Sequence, residues 1–171
     1  NPTITTNITD NDTSAIILSG PSTVAEGATT SNYTVSLTNG IGLGAGQRVT
    51  FTLDSASGTA TEGSDFSALT AAGLSGATGI ALTTSTGANG VITVTATNTT
   101  GADLASGAPL LSFAIATTQD TVVEGTENFT VTLGSSTATV VTPTITTSIT
   151  DNDISAIILS GPSTVAEGAT T

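Results

Sequence analysis

The feature that most constrains this chain is an internal repeat. Residues 2–30 read PTITTNITDNDTSAIILSGPSTVAEGATT, and residues 143–171 read PTITTSITDNDISAIILSGPSTVAEGATT. Two of the 29 positions differ, Asn7 against Ser148 and Thr13 against Ile154. The offset from Pro2 to Pro143 is 141 residues. That is too long for one turn of a solenoid and suits an autonomous domain. The 171-residue chain therefore reads as one full period plus an overlap, a window on a string of near-identical domains.

The repeat also suggests the boundaries. Ile8-Thr-Asp-Asn-Asp12 closes a strand-like run and precedes a new apolar run at Ala15, and Ile149 to Asp153 does the same. A complete domain is expected at 14–153. Residues 1–13 would be the last strand of the preceding repeat, and residues 154–171 the first strand of the following one.

Within the unit the pattern is all-β. Thr, Val, Ile, Ser and Ala dominate, punctuated by Gly and Asn-Gly. Strands are expected at Ala15–Leu18, Asn32–Leu37, Arg48–Leu53, Gly79–Leu82, Val91–Ala96, Leu110–Ala116, Asn128–Leu133 and Thr144–Ile149. Phe129, Val131 and Leu133 alternate with Thr130 and Thr132, and Tyr33, Val35, Leu37 and Val49, Phe51, Leu53 alternate likewise. Such strands are apolar on one face, so two sheets should close over those faces. No segment has a convincing helical period.

Composition narrows the partners. Thirteen acids face a single base, Arg48, for a formal net charge of −12, although charged residues make up only 8% of the chain. Nothing here could neutralise phosphates, which excludes nucleic acid, and an anionic membrane surface is equally unsuited. No apolar run is long enough to insert in a membrane, and no signal-peptide pattern is present. With no His, Cys or Lys, the chain lacks the usual bases and nucleophiles. Aromatic residues that would line a sugar cleft for a carboxylate-pair hydrolase are scarce. The expectation is a non-enzyme. Without Cys or Lys, neither disulfides nor Lys–Asn isopeptide bonds can staple the fold, and carboxylate–metal contacts are the remaining obvious staple.

The acids do not scatter as solubilising charges would. Glu26, Asp65, Asp120, Glu124, Glu127, Asp151 and Asp153 sit at expected strand ends. Calcium takes six to eight hard oxygen ligands, and closely spaced carboxylates in loops can supply them. The alternative is a set of solvated acidic loops. Asp54, Glu62 and Asp103 read as ordinary surface charges.

Four runs carry a family resemblance: Thr23-Val-Ala-Glu-Gly27, Gly58-Thr-Ala-Thr-Glu-Gly-Ser-Asp-Phe66, Asp120-Thr-Val-Val-Glu-Gly-Thr-Glu-Asn-Phe129 and Ile149-Thr-Asp-Asn-Asp153. In this order they resemble the Calx-beta family, named for calcium-binding domains of sodium–calcium exchangers. The resemblance implies an immunoglobulin-like antiparallel β-sandwich, here of about 7–9 strands, binding Ca2+ through loops at one end. It places ligands on Glu26, Asp65, Asp120, Glu124, Asp151 and Asp153, with Asn152 replacing an acid that some members carry. Glu127 stays a candidate through its place beside them. In the overlaps, Asp10 and Asp12 would serve the preceding repeat, and Glu167 the following one. Bacterial members often form tandem arrays in large secreted adhesins, which implies an extracellular or cell-surface location and adjacent copies of the repeat as partners. From Leu69 to about Pro109 the chain carries a longer Gly/Thr-rich stretch than the family norm, expected to add a hairpin or a decorated loop.

Two other functional readings stay open at this level. The unit could be a filament subunit whose 1–13 strand completes a neighbour's sandwich, or it could bind cell-surface or matrix glycans through residues 69–109. Sequons at Asn7, Asn11, Asn32, Asn98 and Asn128 fit chance in a Thr-rich chain, and Thr-x-Thr runs fit exposed strand faces better than an ice-binding array.

Overall fold

The computed structural model describes residues 2–7, 9, 11–135, 137–161, 163–164 and 166–168. Among these residues eleven strands run in chain order: β1 Ala15–Ser19, β2 Thr23–Ala25, β3 Tyr33–Leu37, β4 Arg48–Ser57, β5 Ser75–Gly76, β6 Ile80–Thr86, β7 Ile92–Asn98, β8 Pro109–Phe113, β9 Glu127–Ser135, β10 Thr139–Val140 and β11 Thr144–Thr150. They form a five-stranded sheet ordered β10-β1-β3-β8-β5 and a six-stranded sheet ordered β2-β11-β9-β4-β7-β6. The core lies between them.

The alternating runs pack as their period requires. Tyr33, Val35 and Leu37 on β3 are buried against Val49, Phe51, Leu53 on β4 and Phe129, Val131, Leu133 on β9. The intervening threonines face outward. All eight expected strands form, each within a few residues of its expected bounds. The three additional strands, β2, β5 and β10, have two or three residues each. No period can be read from so few positions, so the expected count of about 7–9 rises to eleven. Two of the short strands also pair in parallel, β10 with β1 and β2 with β11, in an otherwise antiparallel fold.

The chain crosses between sheets just after β1. At Gly20 an added Cβ would lie 2.2 Å from the Tyr33 ring, so the bend needs a residue without one. The Tyr33 ring stacks on Phe113 at a centroid distance of 5.1 Å. Its hydroxyl donates to Thr147 Oγ1, and the Thr147 hydroxyl donates to the Pro21 carbonyl at 2.7 Å. Tyr33 belongs to one sheet and Thr147 to the other, so this buried relay ties the two layers together. Burial holds the Tyr33 phenol above its ordinary pKa, which keeps it a neutral donor.

Strand directions place the termini of the unit. β1 begins where β10 and the end of β9 lie, and β11 ends where β9 begins. The chain therefore arrives at one end of the sandwich, the leading end, and departs at the other, the exit end. Among the described residues of 2–13 and 154–168 there is no strand. The apolar side chains there stand in solvent, with Ile157 97% and Leu159 98% exposed, whereas their repeat equivalents Ile16 and Leu18 on β1 are 0% and 1% exposed.

Thr147→Val keeps the shape of the side chain and removes both hydrogen bonds. It strands the Tyr33 hydroxyl and the Pro21 carbonyl, so it should cost about 1–3 kcal/mol. Urea unfolding midpoints of the variant and the parent check this.

Candidate metal centre

The sequence-predicted acids of the unit come from several strand ends and connections. Glu26 directly follows β2. Asp65 ends the Thr61–Asp65 turn, where Asp65 N donates to the Thr61 carbonyl at 2.9 Å and Thr61 N donates back to Asp65 Oδ2 at 2.6 Å. Asp120 and Glu124 lie on the connection from β8 to β9, Glu127 opens β9, and Asp151 and Asp153 follow β11. Two of these acids stand beside an anchoring ring. Phe66 follows Asp65, Phe129 lies two residues past Glu127, and the two rings stack at 4.4 Å in the core.

The structure brings these acids together at the exit end. Glu26, Asp65, Asp120, Glu124, Glu127 and Asp151 line one small cavity of about 20 Å³. That is just over the volume needed for a single water-sized occupant. Carboxylate oxygens of Glu26, Asp120 and Asp153 fall within 4.8 Å of one another. The remaining candidates lie elsewhere. Asp12 is at the leading end, Glu167 is exposed beyond the exit, and Asp10 lies outside the described residues.

Backbone N–H groups hold the carboxylates in place. Asp120 N donates to Glu26 Oε1 at 2.8 Å, and Val122 N to Asp120 Oδ1 at 2.7 Å. Asp151 accepts twice, from Glu124 N at 2.6 Å and Asp153 N at 2.7 Å. Glu26 Oε2 and Asp153 Oδ2, by contrast, are buried acceptors with no protein donor. A buried carboxylate oxygen without a donor is costly. The chain's one base, Arg48, begins β4 at the opposite end, so no side-chain cation of the unit offsets the charge.

The protonation energetics reflect this. Burial and the charges of Asp120, Asp65, Asp151 and Glu26 raise the Glu124 pKa. Burial and the charges of Asp65 and Glu124 raise Glu127, and burial with Glu26, Asp151 and Asp120 raises Asp153. Asp151 moves the other way, lowered by the backbone N–H groups of Asp153 and Glu124. The donor set is all hard oxygen. It suits a cation such as calcium and not a soft metal.

Sequence reasoning missed the supporting polar residues. Asn152 and Gln119 exchange side-chain hydrogen bonds at 3.0 and 3.1 Å, and Asn152 Nδ2 also donates to the Glu26 carbonyl at 3.1 Å. An acid at 152 could not make those donations, which is a physical reason for the amide inside Asp-Asn-Asp. Asp103, read as a plain surface charge, accepts from Ala45 N at 3.0 Å and pins a loop at the leading end. Asn98, one of the sequons, is fully buried with its amide engaged by loop carbonyls, so it cannot carry a glycan in this fold.

A pH dependence follows for the metal-free protein. Raised carboxylate pKa values mean that the folded state binds those protons more readily than the unfolded state. The strain from Glu124, Glu127 and Asp153 is therefore present above their folded pKa values and relieved as pH falls through them. The Asp151 contribution is present above the unfolded Asp value and is lost as pH falls through its lowered pKa. Stability in chelator should rise as pH falls from 7 through the raised folded pKa values and then decline in stronger acid. Urea midpoints across that range test this, and a steady fall from pH 7 downward would contradict it.

Comparisons with known proteins bear on the fold and the family. The Calx-beta domain model matches residues 9–75 and 104–153. No curated protein matches the chain in sequence. Among solved structures, the apo form of the Calx CBD1 domain aligns with a TM-score of 0.54 at 18% identity, covering 83% of this chain and 100% of that one. CBD12 from CALX1.2 aligns with a TM-score of 0.52 at 19% identity, covering 81% of this chain and 46% of that one. A type I cohesin–dockerin complex from Clostridium thermocellum contributes a chain with a TM-score of 0.53 at 11% identity, covering 86% of this chain and 99% of that one. At such identities the likeness concerns the sandwich fold. The stretch between the two matched segments holds the β6–β7 hairpin, an addition to a shared frame that carries all the acids of the cluster. The chain belongs to the Calx-beta domain family.

Proposed function

We propose that this chain is a calcium-binding structural unit of a long extracellular array, flanked by parts of its two neighbours, and that calcium stiffens the exit end and the joint beyond it. The observation that carries this reading is the gathering of six acids on one small cavity with Asp153 beside Glu26 and Asp120, two of these acids having a buried carboxylate oxygen without a donor. Two carboxylates about 4 Å apart repel by about 4 kcal/mol at an effective dielectric near 20. A bound divalent cation removes that repulsion and links the end of β2, the Asp65 turn, the β8–β9 connection and the residues after β11.

The unit boundaries belong to the same proposal, with a complete domain at 14–153 and parts of neighbouring repeats at 1–13 and 154–171. Their support is the pair of environments for one sequence. The AIIL run is buried in β1 and exposed after residue 155, so the second copy lacks the sheet that covers the first. An array of such units would serve as a spacer in a bacterial adhesin or matrix protein, with its neighbours as its nearest partners and no catalytic role. The copy of the β11 sequence at residues 3–9, whose described residues form no strand, also favours a second reading, a filament in which that segment fills the β11 position of another molecule. A filament grows with protein concentration, whereas an array has a length set by its gene.

Thermal unfolding of the chain in calcium and in chelator tests the calcium reading. At a calcium concentration about 100 times the dissociation constant, binding adds about 2.7 kcal/mol, which raises the midpoint by about 5–10 °C for a domain of this size. Asp120→Asn and Asp153→Asn should each remove most of that rise. No calcium-dependent shift in the parent would overturn the proposal.

A further inference from the structure

The outer strands of the two sheets are not alike. β10 and β5 flank the five-stranded sheet, and β2 and β6 flank the six-stranded one. β10, β5 and β2 have two or three residues each, whereas β6 has seven. It pairs with β7 in unbroken antiparallel register, from Ile80 opposite Asn98 to Thr86 opposite Ile92. The bonds at either end of this ladder fix which way its backbone points. Thr99 N donates to the Gly79 carbonyl at 2.8 Å, and Gly87 N donates to the Val91 carbonyl at 2.9 Å. Hydrogen-bonded and non-bonded pairs alternate along an antiparallel ladder. Ala81, Thr83 and Ser85 therefore turn their backbone groups to β7, while Leu82, Thr84 and Thr86 turn theirs outward. The 71–77 segment covers the start of this edge, where Ile80 N donates to the Ala77 carbonyl at 2.9 Å. From Thr83 to Thr86 every residue is exposed.

An open strand edge is a template for another strand, and proteins usually blunt it with charge, proline, a bulge or brevity. β6 has none of these. No charged residue and no proline occurs from Phe66 to Ala102. In a chain of net charge −12, two copies can approach along this hairpin without bringing carboxylates together. We infer that β6 pairs antiparallel with β6 of a second copy of this chain, Thr84 of one copy exchanging backbone hydrogen bonds with Thr86 of the other, so that two six-stranded sheets join into one. The partner is a second copy because an antiparallel pair of identical strands is self-complementary about a two-fold axis. A strip about 23 Å long and about 10 Å deep offers on the order of 250 Å² per partner, against roughly 800 Å² in a stable complex. One pair is therefore weak, and arrays lying side by side are held by many such pairs acting together. That last step rests on the tandem reading proposed above, and the pairing itself does not. It gives an adhesive role to a hairpin outside the segments matched by the family model, at the sheet edge opposite β2.

Sedimentation of the chain in chelator, at concentrations up to roughly 1 mM as suits so small a contact, tests the pairing. Association should strengthen as salt rises from about 0.1 M to about 1 M, because screening relieves the repulsion between two acidic copies. Thr84→Pro removes an outward N–H without costing a ladder bond to β7, and it should lower the association constant about tenfold or more. Thr84→Lys keeps the backbone and the fold, since the side chain is exposed. It should also weaken association, although it reduces the net negative charge, while Thr84→Val stays near the parent. Amide exchange supplies a signature of the geometry. At high concentration the Thr84 and Thr86 amides should slow, whereas those of Thr83 and Ser85, bonded to β7, are protected at every concentration. A parent that stays monomeric throughout, or one that associates no more strongly than both Thr84→Pro and Thr84→Lys, would overturn the inference. The second result would point instead to another surface, such as residues 3–9 in the filament reading. Absence of a calcium-dependent rise in the parent's thermal midpoint would overturn the calcium reading and leave this pairing standing.

Discussion

Mutual repulsion among seven carboxylates at one end of the sandwich is the constraint around which the rest of this structure is arranged. Nothing within the unit neutralises them, since the single arginine lies at the far end. The fold meets the cost partly with backbone N–H groups, most fully at Asp151, whose pKa is lowered as a result. It leaves the cost unmet at Glu26 Oε2 and Asp153 Oδ2. A domain held together only by apolar packing has no need of such an end. In the proposed calcium-binding unit, the charges that repel one another would supply the ion's binding energy.

The core makes this arrangement possible. Stacked Phe66 and Phe129 anchor the Asp65 turn and the start of β9, and the Tyr33–Thr147–Pro21 relay fixes β11 against the opposite sheet. Glu26, Glu124, Glu127, Asp151 and Asp153 therefore stand within three residues of a strand, whereas Asp65 and Asp120 are held in longer connections by backbone hydrogen bonds. The hairpin of β6 and β7 extends the six-stranded sheet at the edge away from β2 and β11, which lets the unit grow without disturbing the cluster.

Much of this was legible in the sequence. Runs such as Phe129-Thr-Val-Thr-Leu133 declare a half-buried strand, because a period of two leaves no other way to bury three apolar side chains together. The acids were legible as a group because they cluster at strand ends in a chain with few charges. The short strands β2, β5 and β10 were not, because two or three residues carry no period and their pairing is decided by the sheet edge they meet. Asn152, Gln119 and Asn98 were not legible as supports either. Their function lies in donating to particular carbonyls and side chains, and an amide in a loop looks the same whether or not such an acceptor is nearby.

What the sequence determined by itself was the all-β class, the 141-residue period and the runs in which the acids lie, since periodicity and composition are properties of the chain alone. Only the tertiary structure decided that six of those acids line one small cavity with Asp153 close by, that two of their oxygens lack donors, and that Arg48 stands with Asp12 at the opposite end. Distance between residues far apart in sequence depends on which strands pair and in which direction. One 29-residue sequence shows this directly. Its first copy builds β1 and β2 from Ala15 onward, whereas its second copy builds β11 and then runs past the end of the sheet. Burial is settled by the partners a segment meets, and local sequence does not specify them.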